Sequence, residues 1–175
     1  FASGSKAPLK ATPGHFATNH AHINYYLDMT TLKTRLSEAQ EGAKHLAERF
    51  LFDKVVDTIV CLEGTQVIGA YLAEELTRAG VLSTNAHKTI YVITPEYNSN
   101  SQMVFRENIL PMVHGKNVVI LTAVVTTGLS LNKSIEAIQY YGGKLQSAAA
   151  VFSTLDELNG CPITSIYSPE DVTDY

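Results

Sequence analysis

Apolar residues fall along this chain in two alternating rhythms. Leu32, Leu36, Ala39, Ala43, Leu46, Ala47 and Phe50 recur at steps of three and four with Lys, Arg and Glu between them, which predicts a helix with one buried face. Residues 55–62 form instead a β-branched apolar run, as expected of a central strand buried on both sides. The helical period returns over residues 67–79, with Gly80 as its stop, and residues 88–94 read as the next strand. Residues 95–108 are polar, carry Asn98-Ser-Asn-Ser101 and read as a long mobile loop. A third apolar run, residues 118–121, leads into a helix with Leu131, Ile135, Ile138 and Gln139 on one side, ended by Gly142-Gly143. Residues 145–152 and 163–167 look like closing strands. Residues 11–24, rich in Thr, Pro, Gly, His and Asn, read as a loop or extended arm.

Strands alternating with helices of this length predict an α/β fold: a doubly wound, mainly parallel sheet flanked by helices. One domain spans residues 1–175, with an N-terminal arm or hood over 1–30 and the core over 31–175. In such sheets ligands bind beyond the carboxyl ends of the strands, where the winding direction switches. That rule selects two loops, Glu63-Gly64-Thr65-Gln66 and residues 122–130, and makes the 95–108 loop a candidate lid.

Composition narrows the function classes. The 175 residues are 45% apolar and 17% charged, with a net charge of −4 and a pI near 5.8. No basic footprint for nucleic acid is present, and no apolar run reaches the length of a membrane span. Cys61 and Cys161 lack CxxC spacing; Cys61 in its apolar strand reads as a buried reduced thiol, and the compartment as cytoplasmic. The start at Phe1-Ala-Ser-Gly, without an initiator Met or signal-like segment, reads as the interior of a longer natural chain.

The chemistry concentrates after the third strand. Thr126, Thr127, Gly128 and Ser130, with Val125 and Leu129 between and beside them, form a small hydroxyl-rich turn at a helix start. Backbone N–H groups and the positive end of a helix dipole converge there, which is the geometry that holds a phosphate. Ser and Thr also cap helices without binding anything, and from these residues alone that reading stands beside phosphate binding. Gly64-Thr-Gln-Val-Ile-Gly-Ala70 has the glycines of a P-loop but no Lys-Ser/Thr after the second, so it is not an ATP loop. His15, His20 and His22 lie in a polar stretch without a Cys or acid at fixed spacing and read as a solvated arm; no metal ligand is assigned.

Four segments, in order, resemble the type I phosphoribosyltransferases, and among them orotate phosphoribosyltransferase. They are Ser3-Gly-Ser-Lys-Ala-Pro8, Tyr26-Leu-Asp28, Asp57-Thr-Ile-Val-Cys-Leu-Glu-Gly-Thr-Gln66, and residues 118–130 ending in Thr-Thr-Gly-Leu-Ser. The resemblance implies transfer of a ribosyl 5-phosphate from phosphoribosyl diphosphate to a base, with Mg²⁺ carried by the diphosphate. It implies a phosphoribosyl or nucleotide ligand and a homodimer. Carried over by motif, Val125 to Ser130 bind the 5-phosphate, Glu63 to Gln66 line the pyrophosphate loop, and Lys6 contacts phosphate or base. Glu63 as a helix cap and Lys6 as a solvated lysine remain open beside these roles. Tyr140-Tyr141 read as packing residues at a helix end.

The chain departs from the family in the less glycine-rich loop at Thr65 and Gln66, in the extra residues of 11–24, and at two places that bear directly on chemistry. Where the motif has paired acids that accept hydrogen bonds from the ribose hydroxyls, it carries Thr122 and Ala123. Between Thr94 and Asn108 there is no Lys or His, and Arg106 is the lone cation available to a lid. No residue is assigned as catalytic. Two functions therefore stand: a phosphoribosyltransferase of nucleotide metabolism, or an inactive relative that binds a nucleotide monophosphate or ribose phosphate as a regulatory or assembly module.

Overall fold

The structure is a computed structural model and describes residues 10–17, 22–28, 36–48, 54–78, 85 and 89–169. Its centre is a six-stranded sheet. In chain order the elements are β1 (Lys10–Ala17), β2 (His22–Asp28), α1 (Leu36–Leu46), β3 (Thr58–Cys61), α2 (Gln66–Thr77), β4 (Tyr91–Ile93), β5 (Glu96–Tyr97) and β6 (Met103–Val104). A 3₁₀ turn (Leu110–Met112) leads to β7 (Asn117–Val125), α3 (Leu129–Tyr140), β8 (Lys144–Ser153), β9 (Glu157–Leu158) and β10 (Cys161–Tyr167). The sheet order is β4-β3-β7-β8-β10-β9. Every pairing is parallel except β10 with β9, so the predicted doubly wound parallel sheet is the observed one.

Burial explains why these segments take these shapes. All four residues of β3 are buried, as a strand covered on both faces must be. On one face, Ala39, Ala43, Leu46 and Ala47 of the first helical stretch and Ile68, Leu72 and Leu76 of α2 pack on Ile59, Cys61, Val119, Leu121, Ala149 and Val151. On the other, Leu131, Ile135 and Ile138 of α3 join Met103, Phe105 and Val113 over Val60, Val118, Ile120, Ala148 and Ala150. Gln139 does not share that face: it is exposed, and Ser134 takes the buried position instead. Leu32, Phe50 and Gly80 lie outside the described residues.

At the strand starts, the Asp57 carboxylate accepts from both the main-chain and the side-chain N–H of Asn117, each at 2.8 Å. The Asn117 side-chain carbonyl accepts from Gln146 at 3.0 Å. This polar chain joins the entries to β3, β7 and β8 and pins their register.

Three segments differ from the sequence reading. Residues 11–24 fall largely within an antiparallel hairpin of β1 and β2, with an irregularity between Pro13 and Phe16. The 95–108 stretch holds a second small hairpin, β5 with β6, whose turn is tied by Asn98 Oδ1 accepting from the N–H groups of Asn100 and Gln102. Strand β7 does not stop at Leu121 but pairs with β8 through Val125.

Ser147 is fully buried on the α1/α2 face, and its hydroxyl has no hydrogen-bond partner among the described residues. Desolvating an unmatched hydroxyl opposes folding. Ser147→Ala is therefore expected to raise unfolding stability by about 1 kcal/mol, read as a higher urea midpoint at constant slope. A lower midpoint would contradict the unmatched hydroxyl.

Candidate functional site

From β3 the chain passes through α2 to β4 on one side, while β7 lies on the other side of β3. The loops leaving β3 and β7 therefore diverge, one towards α2 and one towards α3, which pack on opposite faces. Their starts flank the point where the winding direction reverses, and it is in the crevice at such a point that a doubly wound sheet takes its ligand.

The β3 side is a tight loop. Glu63 and Gly64 both have left-handed φ, 56° and 76°, a conformation that disfavours a non-glycine residue by roughly 1–2 kcal/mol. Thr65 holds the loop in place. It is fully buried; its hydroxyl lies 2.7 Å from the Leu62 carbonyl and 3.1 Å from the Leu121 carbonyl. The Leu62 N–H also donates to Leu121 at 2.8 Å. Beneath this loop, burial pushes the Cys61 thiol up to about 12, against the lowering effect of its bond to Thr65. Both Cys61 and Cys161 are buried free thiols.

Because β3 ends at Cys61 while β7 runs on to Val125, the β7 edge outlasts its partner. Glu63 covers that edge. Its Oε2 accepts from Ala123 N–H at 3.2 Å and, more weakly, from Val124 N–H at 3.4 Å. A carboxylate thus sits in the crevice beside positions 122 and 123. Thr122 and Ala123 are themselves buried, each 4% exposed.

Beyond β7, Thr126 and Thr127 lead to Gly128, which starts α3 with φ 84° and no side-chain cap. The first-turn N–H groups of α3 are accordingly available at the strand ends. Thr127, Leu129 and Ser130 are exposed around them, while Val125 is buried. The Leu129 N–H reaches Thr127 Oγ1 only at 3.4 Å. The turn is braced from the next loop: Thr154 donates its hydroxyl to the Thr126 carbonyl at 2.6 Å and its N–H to Val125 at 3.0 Å. Leu155 and Leu158 lie so close to Gly128 that a Cβ there would stand 3.1 Å from each. Asn159 donates to Asn132 one turn into α3.

Of the two loops selected from sequence, Glu63–Gln66 meets the 122–130 segment through the bonds of the Glu63 carboxylate to Ala123 and Val124. Arg106 is held elsewhere: its guanidinium makes a two-pronged ion pair with Glu96, at 2.7 Å on each side, on the surface at the base of the β5–β6 hairpin. That pairing holds Arg106 in its charged form. Lys6 lies outside the described residues. Sequence reasoning missed the brace of Thr154, Leu155 and Leu158, for which no motif gives a signal. It also missed Tyr97, whose hydroxyl is pushed above its usual range by partial burial and by the negative charge of Glu63.

No protein-family model matches the chain, and no curated protein matches it in sequence. Solved structures do match. Orotate phosphoribosyltransferase of Mycobacterium tuberculosis H37Rv superposes with a TM-score of 0.63 at 15% identity, covering 94% of this chain and 93% of its own. Orotate phosphoribosyltransferase from Aeropyrum pernix gives 0.63 at 20% identity, over 94% and 90%. Adenine phosphoribosyltransferase from Rhodothermus marinus gives 0.58 at 16%, over 91% and 93%. At these identities the likeness is one of architecture, and it extends over nearly the full length of each chain. With its mainly parallel sheet and two helical layers, this chain has the type I phosphoribosyltransferase fold.

Proposed function

We propose that this protein takes a ligand bearing a ribose 5-phosphate into the crevice between β3 and β7, and that it does so as a phosphoribosyltransferase-type protein of nucleotide metabolism. The carrying observation is the uncapped start of α3 at Gly128, which presents main-chain N–H groups and the exposed Thr127 and Ser130 at the switch point. The Mycobacterium tuberculosis orotate phosphoribosyltransferase has been solved in complex with 5-phospho-α-D-ribosyl 1-diphosphate, which supports a phosphoribosyl ligand for a chain of this fold. On this reading Val125–Ser130 grip the 5-phosphate, Glu63–Gln66 border the leaving-group side, and Mg²⁺ rides on the diphosphate, since that ion prefers phosphate oxygens and water to a protein cage. Glu63 is the acidic side chain at that place. On the same reading the protein works as a homodimer, carried over from the family resemblance, in the cytoplasm, carried over from the reading of its cysteines as reduced. Among the described residues no helix is long and apolar enough to cross a membrane.

A second reading, binding without transfer, is favoured by one specific arrangement. Positions 122 and 123 are buried and neutral, and Arg106 is engaged by Glu96. Expelling a diphosphate calls for a positive clamp, because electrostatic stabilisation is usually the largest catalytic term.

Calorimetric titration with phosphoribosyl diphosphate plus Mg²⁺, ribose 5-phosphate, and uridine and orotidine 5′-monophosphates separates the outcomes. Diphosphate binding followed by orotate consumption establishes transfer. Saturable binding of the monophosphates alone establishes a binding module. Absence of all binding at millimolar ligand would remove the phosphate site.

A further inference from the structure

We infer that Glu63, reaching across the crevice from the β3 loop, is the residue that accepts hydrogen bonds from the ribose hydroxyls of the ligand; the inference rests on the proposed phosphate site. Three observations carry it. First, the Glu63 carboxylate is fixed on the main chain of Ala123 and Val124, so it is attached to the strand that leads into the phosphate turn. Two to three strand residues, at about 3.3 Å each, separate that point from Thr126. A span of about 7–10 Å matches the reach from a phosphate held at the turn to the far edge of its own sugar ring.

Second, the strand side chains cannot do this work. Thr122 and Ala123 are 4% exposed and the half-buried Val124 packs against the α1/α2 core, so no side chain of β7 between Leu121 and Val125 offers a carboxylate to a ligand. Third, the loop is built to aim Glu63 there. Its left-handed φ of 56° is a strained conformation that persists only where the surroundings enforce it, and Thr65 supplies the enforcement through its bonds to Leu62 and Leu121. A vicinal diol donates two O–H groups and needs an anionic acceptor of this kind.

The specificity consequence is a preference for ribose over deoxyribose. The natural protein is expected to bind ribose 5-phosphate roughly 10-fold or more tightly than 2-deoxyribose 5-phosphate, the ratio a charge-assisted hydrogen bond confers. Glu63→Gln should shrink that ratio to within about threefold, while 2-deoxyribose 5-phosphate binds it as well as, or better than, it binds the natural protein. Ser130→Ala should weaken both sugars alike and leave the ratio intact, because it touches the phosphate grip alone. Thermal unfolding of each variant confirms that it is folded; if Glu63→Gln is not, Glu63→Ala serves in its place. Equal binding of the two sugars by the natural protein, or an unchanged preference in the Glu63 variant, would overturn the assignment. Failure of the natural protein to bind either sugar would instead remove the phosphate site itself, and this inference with it.

Discussion

Gly69→Ala is expected to destabilise the protein by about 2 kcal/mol, even though alanine is the better helix former. In a free helix the exchange favours alanine by about 1 kcal/mol. Here α2 lies directly on the sheet, and a Cβ at position 69 would stand 2.4 Å from the Cys61 sulfur, 3.4 Å from Val92 Cγ1 and 3.6 Å from Leu121 Cδ2. Real Cβ atoms do not approach so near, so either α2 lifts from β3 or the Cys61 side chain leaves its rotamer in a fully occupied core. Overpacking of this kind costs typically about 1–3 kcal/mol, and a contact this short falls at the upper end, which outweighs the propensity gain. The expected observation is a lower denaturant midpoint with an unchanged slope.

The cause can be isolated. Cys61→Ala alone should be mildly destabilising, through the small cavity it leaves. Added to Gly69→Ala it should instead restore stability, because the atom in the way has gone. Two destabilising changes that improve one another are the signature of direct contact. Additive losses would exclude the close approach. Ligand binding should follow stability, since the Gly69 N–H donates to the Thr65 carbonyl and any shift of α2 disturbs the loop that aims Glu63.

Local pattern carries the order and type of the core elements because each owes its form to neighbours a few residues away. The four buried residues of β3 and the three- and four-residue spacing of Ala39, Ala43 and Leu46 are visible in the chain itself. What local pattern does not carry is pairing. Thr122 to Val125 are as compatible with a loop as with a strand; they are strand because β8 continues beside them to Ser153. The described residues of the polar 11–24 segment likewise extend because β1 finds β2, a tertiary fact that outweighs their turn-rich composition. The site divides the same way. The turn at Thr126–Ser130 was legible from its hydroxyls and glycine next to an apolar run. The Glu63 contact with Ala123 spans 60 residues, and the bracing of Thr126 by Thr154 spans 28. Neither has a local signal, so each becomes visible only in three dimensions.

Thr127→Glu should abolish phosphate binding while leaving the fold as stable as before, or slightly more so. Thr127 is exposed, and its hydroxyl makes only a 3.4 Å contact with the Leu129 N–H, so little packing is lost. An acid there sits at the positive end of α3 and should gain about 0.3–1 kcal/mol from the helix dipole. The same favourable place is the one a phosphate would use. A carboxylate about 5 Å from a phosphate, at an effective dielectric near 20, costs roughly 3 kcal/mol per unit charge, or about two orders of magnitude in affinity. Added salt should relieve part of that loss, because exposed charges are screened over about 8–10 Å at physiological ionic strength. Thr127→Val, which removes a hydroxyl without adding charge, should weaken ribose 5-phosphate binding only a few-fold. Binding and stability thus move in opposite directions for one substitution, which separates a damaged site from a damaged fold. Should the Glu variant bind ribose 5-phosphate as the natural protein does, the phosphate must sit elsewhere, and the start of α3 would be a structural turn alone.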